Sequence, residues 1–63
     1  MNYRVEQHRQ TDRGWTTITK VVTEEELKEL GFFPLDPFDQ KQFDECGRVV
    51  ITGDMKYTVI ERL

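Results

Sequence analysis

Apolar and polar residues alternate from Tyr3 to Gln10, with Tyr3 and Val5 pointing one way and Arg4, Glu6 and His8 the other. This period of two predicts a strand with one wet face. Gln10-Thr11-Asp12-Arg13-Gly14 follows as a turn cluster: Asp12 is suited to bonding its own backbone and Gly14 to a positive φ. Trp15 to Val22 predicts a second strand, with Trp15 and Val21 on one side and Ile18 and Val22 on the other. The two pair as a hairpin whose register the pattern leaves open.

The alternation stops at Thr23, where Thr23-Glu24-Glu25-Glu26 has the spacing of a capping box. Val22 before the cap and Leu27 after it form a hydrophobic staple, and three glutamates suit the positive end of a helix dipole. Leu27 and Leu30 share a face and Gly31 offers a left-handed C-terminal cap, so a two-turn helix is predicted over Glu24 to Leu30. Such a helix is too short to stand without docking its leucines.

Phe32-Phe33-Pro34-Leu35-Asp36-Pro37-Phe38 interrupts regular structure with two prolines. Asp36 and Pro37 suit the N-cap and first position of a second short helix running through Phe38, Gln42, Phe43 and Cys46 and ended by Gly47. The alternative is an irregular loop packed over the sheet. Arg48 to Thr52 and Met55 to Leu63 then read as strands about Gly53-Asp54, a type II′ hairpin signature. That turn sets Val50 opposite Tyr57 and Ile51 opposite Lys56. It groups Val50, Met55, Tyr57 and Val59 on one face and Val49, Ile51 and Ile60 on the other. A three-residue loop would require Met55 in left-handed geometry, which is costly for a side-chain residue.

The elements make an α+β fold of order β-β-α-(α)-β-β, one domain over residues 1–63, with an antiparallel sheet or two packed hairpins and a short capped helix. Composition supports the sheet: seven Thr, six Val and three Ile are β-branched, and alanine is absent. A chain of 63 residues buries only about 60% of its unfolded surface, which leaves little for a deep substrate cleft. No apolar run reaches membrane-spanning length and the first residues lack a signal-peptide h-region. With the single Cys46 these features predict a cytoplasmic protein.

Charge is uneven. Residues 1–22 carry +2, residues 23–46 carry −6 and residues 47–63 carry +1, for a total of −3. The acidic stretch supplies a candidate surface for a protein partner, built from Glu24, Glu25, Glu29, Asp36 and Asp39 with Phe33 and Phe38. The simpler account of the glutamates is a solvated helix start, and Phe32, Phe33, Leu35, Phe38 and Phe43 serve more readily as core than as docking site. The basic N-terminal hairpin supplies an alternative, a single-stranded nucleic-acid surface of Arg4, His8, Arg9, Arg13, Trp15 and Lys20. Its small positive balance favours cross-strand packing and solubilising edge charges instead.

His8 and Cys46 are the only residues suited to nucleophilic or general-base chemistry near neutral pH, and nothing in their spacing joins them. His8 is expected to face solvent, and Cys46 to be a small buried hydrophobe at a helix end. No catalytic residue, cofactor or metal is therefore expected. A homodimer is, because one short helix is too little to cover both sheet faces; the expected seam is Val49, Ile51 and Ile60. The leading expectation is a non-enzymatic protein-interaction or regulatory module, of the kind bacteria and their mobile elements carry as accessory proteins. The runner-up is a nucleic-acid-associated protein.

Overall fold

The computed structural model describes residues 2–63. Its elements are β1 (Asn2–Thr11), β2 (Gly14–Thr23), α1 (Glu24–Glu29), α2 (Pro37–Cys46), β3 (Arg48–Gly53) and β4 (Lys56–Arg62). All pairings are antiparallel and the strands form one sheet in the order β2-β1-β4-β3. The hairpins therefore lie side by side, joined by β1 and β4, and the choice between one sheet and two packed hairpins falls to one sheet.

Each local stop has a chemical cause. Thr11 pairs with Gly14 across Asp12 and Arg13. The Thr11 hydroxyl donates to Gly14 O at 2.9 Å and accepts from the Arg13 N–H at 3.3 Å, while Gly14 holds φ at 106°. At α1 the capping box is complete: Glu26 N–H donates to Thr23 Oγ1, and Thr23 N–H donates to Glu26 Oε1, both at 3.3 Å. Leu27 is fully buried, but Leu30 is the C-cap and is exposed, so only one leucine docks. Gly31, at φ 85°, turns the chain away at that point.

The second helix forms as its cap and proline suggest. Asp36 accepts from Asp39 N–H at 2.8 Å, Pro37 takes the first turn, and Gly47 ends the helix at φ 69°. Phe43 is its one buried residue. Phe38 sits five positions away, about 140° around the helix, and is 81% exposed. Cys46 is also exposed, which corrects the expectation of a buried thiol. The helix meets the sheet through one ring, with no second apolar layer over its last turn.

The β3–β4 register differs from the expected one by two residues. Val50 pairs with Val59, Ile51 with Thr58 and Gly53 with Lys56, so the loop is Asp54-Met55. Met55 takes the left-handed φ of 53° that had counted against a longer loop. Because side chains alternate with a period of two, a slip of two leaves every residue on its expected face. Val49 and Ile60 have no exposed surface, and Ile51 is half-buried against the same cluster. Both helices cover that face, so it cannot be the seam of a dimer.

The core is Tyr3, Val5, Val22, Leu27, Phe43, Val49 and Ile60, all on the helix-covered side. Tyr3, Phe33 and Phe43 gather in a ring cluster with centroids 5.8 to 6.0 Å apart. The Arg62 guanidinium lies over Phe43 at 5.1 Å and donates to Phe43 O at 2.9 Å. Two stability outcomes follow. Thr23→Ala should cost about 1 kcal/mol and lower the urea midpoint accordingly. Leu27→Ala, which removes the only docked residue of α1, should cost about 2–5 kcal/mol by the same measurement; an unchanged midpoint for Thr23→Ala would remove the cap's energetic role.

Candidate functional site

The helices leave the second face of the sheet open, and the registers order it in rows. Val21, Arg4, Glu61 and Arg48 form one row, and Thr19, Glu6, Val59 and Val50 the next. Thr17, His8, Tyr57 and Thr52 form a third, with Trp15 beside Gln10 beyond it. The first row is ionic: Arg4 is matched by carboxylates, whereas Arg48, exposed on the edge strand β3, makes no ion pair among the described residues. Arg4 Nη2 donates to Glu61 Oε1 at 2.7 Å, and Arg4 Nε lies 3.6 Å from Glu6 Oε1. These side chains are about a third or more exposed, so the pairs fix geometry more than they add stability.

The third row is aromatic. His8 stacks on Tyr57 with ring centroids 4.3 Å apart and planes 11° from parallel. Trp15 tilts against the other side of the set, 5.7 Å from Tyr57. His8 Nδ1 is 3.1 Å from Thr17 Oγ1 and Nε2 is 3.4 Å from Glu6 Oε2. Both ring nitrogens are thus engaged by neighbours on the same face. The ring is half-buried under these contacts, where a solvent-facing histidine was expected. Trp15, Val21 and Val50 are exposed on the same face.

The structure disperses the six residues of the basic hairpin. Arg4, His8 and Trp15 stand on the open face, Arg9 and Lys20 on the opposite face, and Arg13 in the turn. Arg4 is already occupied by carboxylates. The acidic set is also divided: Glu24, Glu25 and Glu29 are exposed on α1, and Asp36 and Asp39 lie at the start of α2. Phe33 packs into the ring cluster, whereas Phe38 projects to solvent. His8 and Cys46 lie on opposite sides of the sheet, since α2 packs against the covered face.

Tyr57, Thr17, Glu6, Glu61 and Val50 belong to the open face and were not among the candidate site residues. Parity along β4 had already grouped Tyr57 with Val50 and Val59. What joins them to His8 and Trp15 is the β1–β4 pairing, which carries no local signal.

On the covered face, beyond the helices, a depression of about 160 Å³ is lined by Gln7, Arg9, Phe32, Ile51, Lys56 and Thr58 among others. Larger depressions, of about 290 Å³ around Tyr3, Lys28, Phe33 and Arg62 and of about 250 Å³ around Gln7, Arg9 and Ile18, stay just under the roughly 300–1,000 Å³ of small-molecule sites. Among the described residues no group of three His, Cys, Asp or Glu side chains is placed to hold a metal ion, and no helix is long and apolar enough to cross a membrane.

One titration is shifted. Partial desolvation, then the Asp36 charge and its hydrogen bond, raise the Asp39 carboxyl above its ordinary 3.8. A carboxyl raised in the fold adds stability below its ordinary pKa, and that addition is lost as pH rises through the shifted value. Asp36→Asn keeps a capping oxygen and removes the charge. The Asp39 carboxyl, followed by NMR titration, should then move down toward 3.8 without reaching it, because desolvation persists. No movement would mean that the Asp36 charge is not felt.

No protein-family model matches this chain, and neither a curated protein nor a solved structure matches it.

Proposed function

We propose that the protein is a non-enzymatic interaction module, a small regulatory or accessory protein of the cytoplasm, that docks a protein partner on the open face of its sheet and works as a homodimer. One observation carries this reading. The exposed Trp15 and Val50 flank a stacked His8–Tyr57 pair on a face whose Arg4, beside the exposed Val21, is already matched by Glu6 and Glu61. An aromatic and aliphatic centre with an ionic border has the make-up of a protein interface core and rim. A phosphate backbone would need several free cations, and Arg48 is the one arginine or lysine of this face that makes no ion pair among the described residues.

The exposed Cys46 thiol fits a reducing compartment. The acidic residues of α1 and α2 lie on the helical side, and they serve solubility or a second, basic contact. The nucleic-acid alternative keeps Trp15 and His8 as stacking rings but loses Arg9 and Lys20 to the other face.

The test is a tagged recovery from the native cell, with nuclease treatment and mass spectrometry, comparing wild type with Val50→Glu. A protein recovered by wild type after nuclease and lost with Val50→Glu supports the open-face reading. Equal recovery by both would move the contact elsewhere. Oligonucleotide titration followed by Trp15 fluorescence should give no micromolar binding at physiological ionic strength. A salt-dependent transition below about 10 μM, the signature of phosphate contacts, would promote the nucleic-acid alternative.

A further inference from the structure

We propose that β2 is the dimer seam, pairing antiparallel with β2 of a second copy to make a continuous eight-stranded sheet with a twofold axis through Ile18. The inference rests on the dimer reading above and names its interface.

β2 is a sheet edge of ten residues, against six for the other edge, β3. Edge strands are usually blunted by charge, proline or a bulge. β2 has one charged residue, Lys20, no proline, and an unbroken register with β1 from Gly14 to Thr23. Its exposed apolar residues are on both faces: Trp15 (57% exposed) and Val21 (59%) on the open side, Ile18 (53%) on the helix side. A partner lying on either face would cover only one group. Edge pairing gives both groups cross-strand neighbours at once and leaves the open face available.

The backbone fixes which residues offer free groups. Gln10 N–H donates to Met55 O and Asn2 O accepts from Leu63 N–H, so the even residues of β1 are turned toward β4. The odd residues of β1 are then turned toward β2, and they pair with its even ones, Thr16, Ile18, Lys20 and Val22. Trp15, Thr17, Thr19 and Val21 therefore turn their N–H and C=O outward. Thr23 continues this series, and its N–H is taken by Glu26, which closes the edge at that end.

Setting Ile18 opposite its own copy satisfies all of this. Thr17 then pairs with Thr19 of the second copy and Trp15 with Val21, each as a hydrogen-bonded pair using the outward groups. Ile18 meets itself at a non-hydrogen-bonded position on the other face. Aromatic–β-branched and Thr–Thr pairs are favourable cross-strand neighbours. Lys20 falls opposite Thr16, so the twofold opposes no like charges. One register thus joins the three exposed apolar residues of β2 to one another.

The experiment combines mass with crosslinking. In non-hydrogen-bonded pairs the Cα atoms are about 4.5 Å apart, within disulfide reach. In a Cys46→Ser background, Ile18→Cys should form an interchain disulfide on mild oxidation, and Lys20→Cys should not. Wild type should sediment as two chains at 100 μM. Thr17→Pro should sediment as one with its circular dichroism retained, since proline is tolerated where a strand N–H faces solvent.

A one-chain mass for wild type overturns both the dimer reading and this seam. A two-chain mass without Ile18→Cys crosslinking overturns the seam and leaves the dimer reading standing. Crosslinking of Lys20→Cys as fast as Ile18→Cys overturns the register. If Thr17→Pro fails to fold, the two cysteine variants decide.

Discussion

The antiparallel pairing of β1 with β4 converts two hairpins, each marginal alone, into one sheet with a core. Val5 and Ile60 face each other in that pairing and are buried. Around them stand Tyr3, Val22 and Val49 from three strands, with Leu27 and Phe43 descending from the helices. The pairing joins residues from opposite ends of the chain, so its loop-closure cost falls before any of these contacts repay it. Leu27 and Phe43 matter because each anchors a helix that has no other buried residue. Their docking depends on the platform that β1 and β4 create together.

This economy decides how the surface is divided. Two short helices cover part of one face, and the other must tolerate water with what the strands provide. The chain meets that requirement by compensation. Arg4 bridges Glu6 and Glu61, His8 lies over Tyr57, and Val59 is buried between Glu6 and Val50 in the register. What remains uncovered is a small aromatic and aliphatic set, the surface on which the proposed protein recognition rests. The acidic helices sit on the far side of the sheet from the His8–Tyr57 pair.

Features encoded by neighbouring residues were legible. The Thr23 box, the Asp36-Pro37 start and the Gly47 stop act within four residues and need no tertiary help. Face parity was equally legible, and it survived even though the β3–β4 loop lies one residue beyond its expected position, which shifts the pairing by two. The loop itself was misjudged because Gly53 is a strong turn residue locally, whereas Met55 accepts a left-handed φ within a structure where its carbonyl takes the Gln10 N–H. Strand order was not legible, and most of the open site depends on it: no property of Tyr57 announces that His8 will lie across it. For the same reason the basic hairpin looked like one surface when its cations alternate between two. Cys46 was misplaced because its apolar character says little when Phe43 is the one residue of the helix that is buried.

The closing of the sheet by its terminal strands also sets how the molecule responds to force. Asn2 and Leu63 meet at the same end of the β1–β4 ladder, joined by a 3.3 Å hydrogen bond. Tension applied through the two ends loads that ladder from one edge, so its bonds open in succession, Tyr3 from Arg62 and then Arg4 from Glu61. Bonds that open one after another resist far less than the same bonds sheared together. The ladder on which the core depends is thereby loaded in its weakest direction by a pull through Asn2 and Leu63, as a threading unfoldase would exert if the opposite end were held.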